Sequence, residues 1–329
     1  MRHATRQPGA LRSPTARASA GWINTNHCVH PRHRHQLANI SSHPLQMSDS
    51  SSPVTNVYAL GASRNIGYYA SLRLLKKGAT VTFLLRNLSV FDEDAEIQSY
   101  IKAGKARLVK GDALNREDVA AGWTSAGQVG PIDLLLFTVG GTPNFSLRHG
   151  LVLATPDLCT RSILNALSTL PRTQPTPRIV VVTSTGLSDT ASADLPYAIR
   201  ALYTLLHAMH ADKLGAERVL LRVQGSPLPA DKKDAGLELL PAGWESIEGL
   251  PAEGALPELV IVRPALLTDG ACCAESGNKK DEYRIRAEGD KAVPKGYTIS
   301  RRDVAHFIVE RLLGSEWDTY KGKGVSLAY

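Results

Sequence analysis

Asn56-Val57-Tyr58-Ala59-Leu60-Gly61-Ala62-Ser63-Arg64-Asn65-Ile66-Gly67 is the stretch on which the reading of this chain turns. Its first five residues form a short, mostly apolar run that ends at a glycine, as a buried strand does. Residues 68–77 then repeat apolar positions at helical spacing, and Gly78 supplies a C-cap. A loop of small residues between a strand and a helix lets a pyrophosphate approach the backbone, and the helix N-terminus adds N–H donors and the positive end of its dipole. Gly61 suits the tight turn and Gly67 the close contact of helix with strand. Ser63, Arg64, Asn65 and Ile66 complete the loop, with Asn65 standing where a middle glycine is common.

The same alternation continues outward from this turn. Further strands are expected at 80–85, 106–109, 132–138, 178–183, 259–262 and 324–328, and helices at 92–102, 115–121, 158–170, 195–221 and 301–313. Asn115 and Ser300 are the N-cap residues of two of these helices. The strands are apolar on both faces and alternate with helices, which predicts an α/β fold of Rossmann type: a doubly wound, mostly parallel sheet covered on both sides. Residues 53–329 are read as one NAD(P)-binding domain. Its one interruption is the insert 224–257, with five prolines and five glycines, which is either a surface loop or a lid over the site.

The end of the second strand bears on the cofactor. Proteins that bind NAD place an Asp or Glu about 20 residues after the glycine turn, on the ribose hydroxyls. This chain has Leu85-Arg86-Asn87 there, and its next acid is Asp92. Arg86 can pair with a 2′-phosphate, with Arg64 as a second partner, so NADP(H) is the expected cofactor. Asp112 and Ala113, after the third strand, fit the adenine site, and Asp112 is placed to accept from the adenine amino group. Thr138, Val139 and Gly140 end the fourth strand, where backbone runs beside the ribose and nicotinamide.

Composition narrows the function. The 329 residues carry 38 Lys+Arg and 31 Asp+Glu, a formal charge of +7, with a pI near 9.2. Residues 1–46 hold six arginines and no lysine or acid, which leaves 32 bases against 31 acids in the rest. No dominant basic face is implied, and with 6% aromatics a nucleic-acid partner is not expected. No apolar run approaches the ~20 residues of a membrane span, so no membrane partner is expected. Cys28, Cys159, Cys272 and Cys273 are too scattered for a disulfide framework, and the chain has no C-x-x-C, so no metal site is expected. A reducing, cytoplasmic compartment and a small-molecule substrate follow; the oligomeric state is not legible.

Residues 1–52 read as a separate, disordered basic tail, interrupted by Pro8, Pro14, Pro31 and Pro44. Its Arg-rich, acid-free composition also matches a mitochondrial transit peptide. A third reading makes it an artefact of the start site, with translation beginning at Met47.

Several segments together resemble the short-chain dehydrogenase/reductase superfamily, and most closely its atypical branch, the NmrA-like and biliverdin reductase B-like NAD(P)H-binding group. They are Gly61 to Gly67; Gly111-Asp112; His210-Ala211-Asp212-Lys213 with Glu217; the run from Val262-Arg263-Pro264 to Asp269-Gly270; and Ile299-Ser300-Arg301-Arg302-Asp303-Val304-Ala305. Typical members use a Ser, a Tyr thirteen residues later, and a Lys four after that: the Tyr protonates the carbonyl oxygen, the Lys lowers its pKa and the Ser orients the substrate. Ser184 and Tyr197 fit the first two positions, but Ala201 stands at the third. Lys213 matches a lysine that some atypical members use near the nicotinamide. His210, Lys213 and Glu217 share a helix face by spacing; Lys213 and Glu217 read equally well as a solvated surface pair.

The resemblance implies an NADPH-dependent oxidoreductase that transfers hydride to a carbonyl, quinone or flavin, with Ser184, Tyr197 and Lys213 as catalytic candidates. Loss of the Tyr–Lys pair supports the alternative, a non-catalytic NADP(H)-binding sensor or regulatory protein. An epimerase or dehydratase ranks last, because no nucleotide-sugar motif is present.

Overall fold

The strand that opens the glycine turn is β1 (Asn56–Leu60), and it lies inside the sheet, with a neighbour on each side. The computed structural model describes residues 52–141, 144–146, 150–152, 154–185, 207–228, 236–277, 282–287 and 292–329, with main chain only at 144–146, 150–152 and 207–209. All of these belong to one unit, Pro44–Tyr329. The tail 1–51, Tyr197 and Ala201 lie outside the described residues.

Beside β1 run β2 (Thr80–Leu85), β3 (Ala106–Lys110) and β4 (Leu134–Phe137). A short hairpin follows, β5 (Asn144–Ser146) with β6 (Gly150–Val152), then β7 (Arg178–Val182), β8 (Val260–Pro264), β9 (Leu266–Thr268), β10 (Arg284–Arg286), β11 (Thr298–Ser300) and β12 (Gly324–Ala328). The main sheet has eight strands in the order β10-β12-β8-β7-β4-β1-β2-β3, and β9 pairs separately with β11. Every pair in the main sheet is parallel except β10 with β12. The chain moves outward from β1 through β2 to β3, then returns to β4 on the other side of β1. That reversal opens a crevice at the carboxyl ends of β1 and β4.

The helices are α1 (Asn65–Lys76), α2 (Ala95–Lys102), α3 (Arg116–Gly127), α4 (Leu158–Ser168), α5 (His207–Gln224), α6 (Arg301–His306) and α7 (Trp317–Tyr320); α6 continues as a π-helical turn over Phe307–Leu312. Strand periodicity of two divides the core between the faces. Val57 and Ala59 of β1 join Leu134 and Leu136 of β4 under α1 and α6. Tyr58 and Leu60 join Leu135 and Phe137 on the opposite face, with Val119, Trp123, Ile163, Leu167, Val219 and Leu220 of α3, α4 and α5.

Helix starts follow local capping. The carboxylate of Asp94 accepts from the Ile97 backbone N–H at 3.0 Å, so α2 begins at Ala95 and not at Asp92. The expected caps at Asn115 and Ser300 form, each accepting from the backbone N–H three residues on. α1 begins three residues earlier than its apolar pattern, and its first residue, Asn65, takes the left-handed conformation (φ +58°), which asparagine tolerates better than most residues. The described part of the insert does not form a lid. Trp244 and Leu256 are buried in the α3–α4–α5 face, Arg116 and Arg172 donate to the carbonyls of Glu248 and Gly249, and none of its described residues lines the cleft.

α5 is tied to the sheet by a buried ion pair. Arg263 of β8 reaches Glu217 through Nε (2.8 Å) and Nη2 (3.1 Å), and Thr183 Oγ1 donates to the same carboxylate at 2.7 Å. Glu217 is 1% exposed and Arg263 3%, so the reading of Glu217 as half of a solvated surface pair is overturned: its partner is a cation on β8.

Two outcomes are expected. Asn65→Gly will hold or raise the urea midpoint, whereas Asn65→Val, with a β-branched residue at positive φ, will lower stability by about 1–2 kcal/mol. Glu217→Gln will cost about 3–5 kcal/mol by removing the carboxylate charge that two nitrogens of the buried Arg263 contact, and the double change Glu217→Gln/Arg263→Met will recover most of that loss in the same unfolding measurement.

Candidate functional site

A cleft of about 570 Å³ lies over the carboxyl ends of the central strands. All twelve expected cofactor residues line it: Gly61, Ser63, Arg64, Asn65, Ile66, Gly67, Arg86, Asp112, Ala113, Thr138, Val139 and Gly140. Lys213 lines it as well.

Two glycines fix the shape of the first wall. Gly61 has φ +77°, and a Cβ there would lie 2.5 Å from Val139 N and 2.6 Å from Thr138 C. A Cβ on Gly67 would strike Thr138 Oγ1 and come within 2.7 Å of Ala62 Cα. The loop therefore packs flush against the tip of β4, where Thr138 donates to the Leu60 carbonyl through N (2.8 Å) and Oγ1 (3.2 Å). Beyond the loop, α1 starts with no side-chain cap and no acid in its first turn. Its first N–H groups remain available to an anion in the cleft.

At the end of β2, Arg86 and Asn87 are exposed at the cleft wall. The Arg86 carbonyl accepts from Lys110 Nζ, and Asn87 Oδ1 accepts from Ser89 N at 3.1 Å, which fixes the turn. Asp112 is held by its own loop: its N–H donates to Asp118 Oδ2 (2.8 Å) and its Oδ1 accepts from Leu114 N (3.0 Å).

The opposite wall is built by α5. Asp212, 1% exposed, accepts from the backbone N–H groups of Cys159 (2.7 Å) and Thr160 (2.9 Å) and so caps α4 from a different helix. The half-buried Lys213 donates from Nζ to the Thr183 carbonyl at 2.9 Å. Burial holds its pKa below the ordinary lysine value, while Cys159, Glu217 and Asp212 pull the other way. The Cys159 thiol donates to the Val139 carbonyl at 3.4 Å; burial first, and then Asp212, push its pKa up, so it is a poor nucleophile.

Ser184 is half-buried and directly follows Thr183; Thr183 lines the cleft and Ser184 does not. His210 is half-buried. Sequence reasoning missed Asp212 as a cap, Cys159 and Thr183 as floor residues, and Arg301 at the cleft edge. Two signals were available: an arginine ending the apolar strand Val260–Pro264, which calls for a buried partner, and two arginines opening a helix, against the dipole's preference. Among the described residues, no group of three or more His, Cys, Asp and Glu is arranged to hold a metal ion, and no helix is long and apolar enough to cross a membrane.

No family model matches the chain. It is 32% identical over 205 residues to the reductase pytE of Aspergillus terreus, an alignment covering 60% of this chain and 67% of that one. A short-chain dehydrogenase/reductase of Veillonella parvula superposes with a TM-score of 0.53 at 14% identity, over 84% of this chain and 94% of that one. A short-chain dehydrogenase of Burkholderia cenocepacia, solved in complex with NADP, gives 0.50 at 20% identity, over 86% and 97%. At these identities the solved structures speak for the fold. The chain belongs to the family of the reductase pytE, and its sheet order and glycine turn are those of the short-chain dehydrogenase/reductase fold.

Proposed function

We propose that this protein is an NADPH-dependent oxidoreductase, of the atypical NmrA-like and biliverdin reductase B-like branch, that passes hydride to a small carbonyl, quinone or flavin. The observation that carries the reading is that Arg64 and Arg86 both line the cleft while the end of β2 offers no carboxylate. A 2′-phosphate can pair with such a wall, which lacks the carboxylate that accepts from free ribose hydroxyls in NAD binders. The uncapped start of α1 and the cleft volume suit a dinucleotide, and two similar folds were solved with NADP.

In this reading Gly61, Ser63, Arg64, Asn65, Ile66 and Gly67 hold the pyrophosphate, and Arg86 with Arg64 holds the 2′-phosphate. Asp112 and Ala113 flank the adenine, and Thr138, Val139 and Gly140 line the ribose and nicotinamide. NADPH, when bound, supplies the hydride. Ser184, one residue beyond the cleft-lining Thr183, orients the acceptor once its hydroxyl turns into the cleft, and Lys213 or Tyr197 donates the proton to the acceptor's oxygen. Lys213 suits the donor role because Nζ gives one N–H to Thr183 O, leaving two on the ammonium, and because a lowered pKa favours transfer near neutral pH. The working unit is residues 53–329, in the cytoplasm, or in mitochondria if residues 1–46 act as a transit peptide. Ala201, at the position of the usual lysine, favours a second reading, an NADP(H)-binding sensor without turnover.

Mixing the full chain with NADPH and a panel of quinones, flavins and aldehydes, and following nicotinamide absorbance, separates the two. Turnover on at least one acceptor is expected; tight binding with none selects the sensor. Arg86→Ala is expected to weaken NADPH by about tenfold or more and NADH little; equal losses would remove the 2′-phosphate argument. Lys213→Met is expected to lower kcat about 100-fold with NADPH affinity kept. A donor must be protonated, so the wild-type kcat will fall as pH rises through the lowered lysine pKa, and Lys213→Arg will move that limb to higher pH. An unchanged profile in Lys213→Met would assign the proton elsewhere.

A further inference from the structure

We propose that Arg301 anchors a carboxylate, or an equivalent two-oxygen anion, carried by the acceptor, exchanging Asp269 for it on binding. The proposal rests on the reductase reading, because it takes the β7–β8 side of the cleft as the acceptor end.

Arg301 opens α6 directly after the Ser300 cap, where the helix dipole disfavours a cation. Its neighbour Arg302 is accounted for by the Tyr69 ring, 5.0 Å below its guanidinium. Arg301 instead lines the cleft alongside Leu267, Thr183 and Lys213, at the start of α6, which packs beside α1. Its ion-pair partner is Asp269, with Nη1 2.7 Å from Oδ1; the Asp269 side chain is 84% exposed and that of Arg301 22%. Water competes for so exposed a carboxylate, and the pair is weak.

The present posture also leaves a donor orphaned. Arg301 Nε is buried and has no hydrogen-bond partner, and an unpaired buried donor penalises the state that contains it. Asp269 engages the guanidinium through Nη1 and leaves the Nε–Nη2 edge without a carboxylate. Arg263 shows what that edge takes in this same protein: the Glu217 carboxylate, at 2.8 and 3.1 Å. A rotation that turns Arg301 into the cleft would give the same two-point contact to a ligand.

The acids nearby cannot fill that role. Asp212 is occupied by the N–H groups of Cys159 and Thr160, and Glu217 by Arg263 and Thr183. The acceptor end thus presents Lys213 and Arg301 with its buried carboxylates already engaged, which selects an anionic acceptor over a neutral one of the same shape.

The test is calorimetric binding to the full chain saturated with NADP⁺, using 4-carboxybenzaldehyde and, as its neutral counterpart, methyl 4-formylbenzoate. The acid is expected to bind about tenfold more tightly than the ester. Arg301→Leu will erase that difference while NADPH affinity stays within about twofold, and Asp269→Asn, which frees the guanidinium, will tighten the acid and leave the ester unchanged. The gain in Asp269→Asn guards against a folding defect in Arg301→Leu. No binding of the acid at millimolar concentration, equal losses of acid and ester, or a tenfold loss of NADPH in Arg301→Leu would overturn the proposal, the last by assigning Arg301 to the cofactor's phosphates. If no acceptor turns over but the acid–ester difference and its loss persist, the reductase reading fails and the anion site stands.

Discussion

The carboxylate of Glu217 is the contact on which the α5 wall of the cleft depends. It is buried between Arg263 at the end of β8 and Thr183 at the end of β7, so it fixes the rotation of α5 against two strands at once. One helical turn earlier, Lys213 then meets the Thr183 carbonyl and Asp212 meets the buried N–H groups of Cys159 and Thr160 in the first turn of α4. The tips of β7 and β8 and the start of α4 are thereby set by one helix. An apolar trio of equal volume could hold α5 as firmly, since a buried ion pair returns little net stability. What the charges add is direction: each hydrogen bond has one geometry, and the lysine beside them inherits it.

The cofactor side is organised by the opposite device, the absence of side chains. Gly61 and Gly67 let the first turn lie against Thr138 and Val139, and the uncapped helix start turns its N–H groups toward the cleft. Backbone supplies this wall and buried side-chain charge supplies the other.

That contrast explains what the sequence disclosed. The strands β1, β2, β4, β7, β8 and β12 are mostly apolar runs between glycines and caps, as strands buried on both faces are, whereas the edge strand β3 carries Arg107 and Lys110 and is only partly buried. The glycine turn is local, so its twelve lining residues were legible from one stretch and three strand ends. β5, β6 and β9–β11 are only three residues long, and in so short a span no periodicity can develop. The α5 wall was misread in part because its partners are distant: Glu217 looks like a surface acid until Arg263, 46 residues on, is placed opposite it. The insert looked like a lid by composition, yet its few large apolar residues, Trp244 and Leu256 among them, anchor it to the α3–α4–α5 face. Asp212 gave no signal at all, since a helix capped by a residue from another helix has no sequence spacing.

The charge of the chain is a poor guide to the charge of its site. The excess of bases belongs to residues 1–46, and the remainder is nearly balanced. Within the cleft the lining residues are four cations, Arg64, Arg86, Lys213 and Arg301, against two acids, Asp112 and Asp212. Both acids accept backbone N–H groups, so part of their field is spent on the protein itself. Asp212 in addition faces the positive end of α4, which offsets it further. The cleft lining therefore carries an excess of cations over acids, although the domain around it is close to neutral. Local pairing, and not the sum of ionisable residues, decides what such a protein can bind.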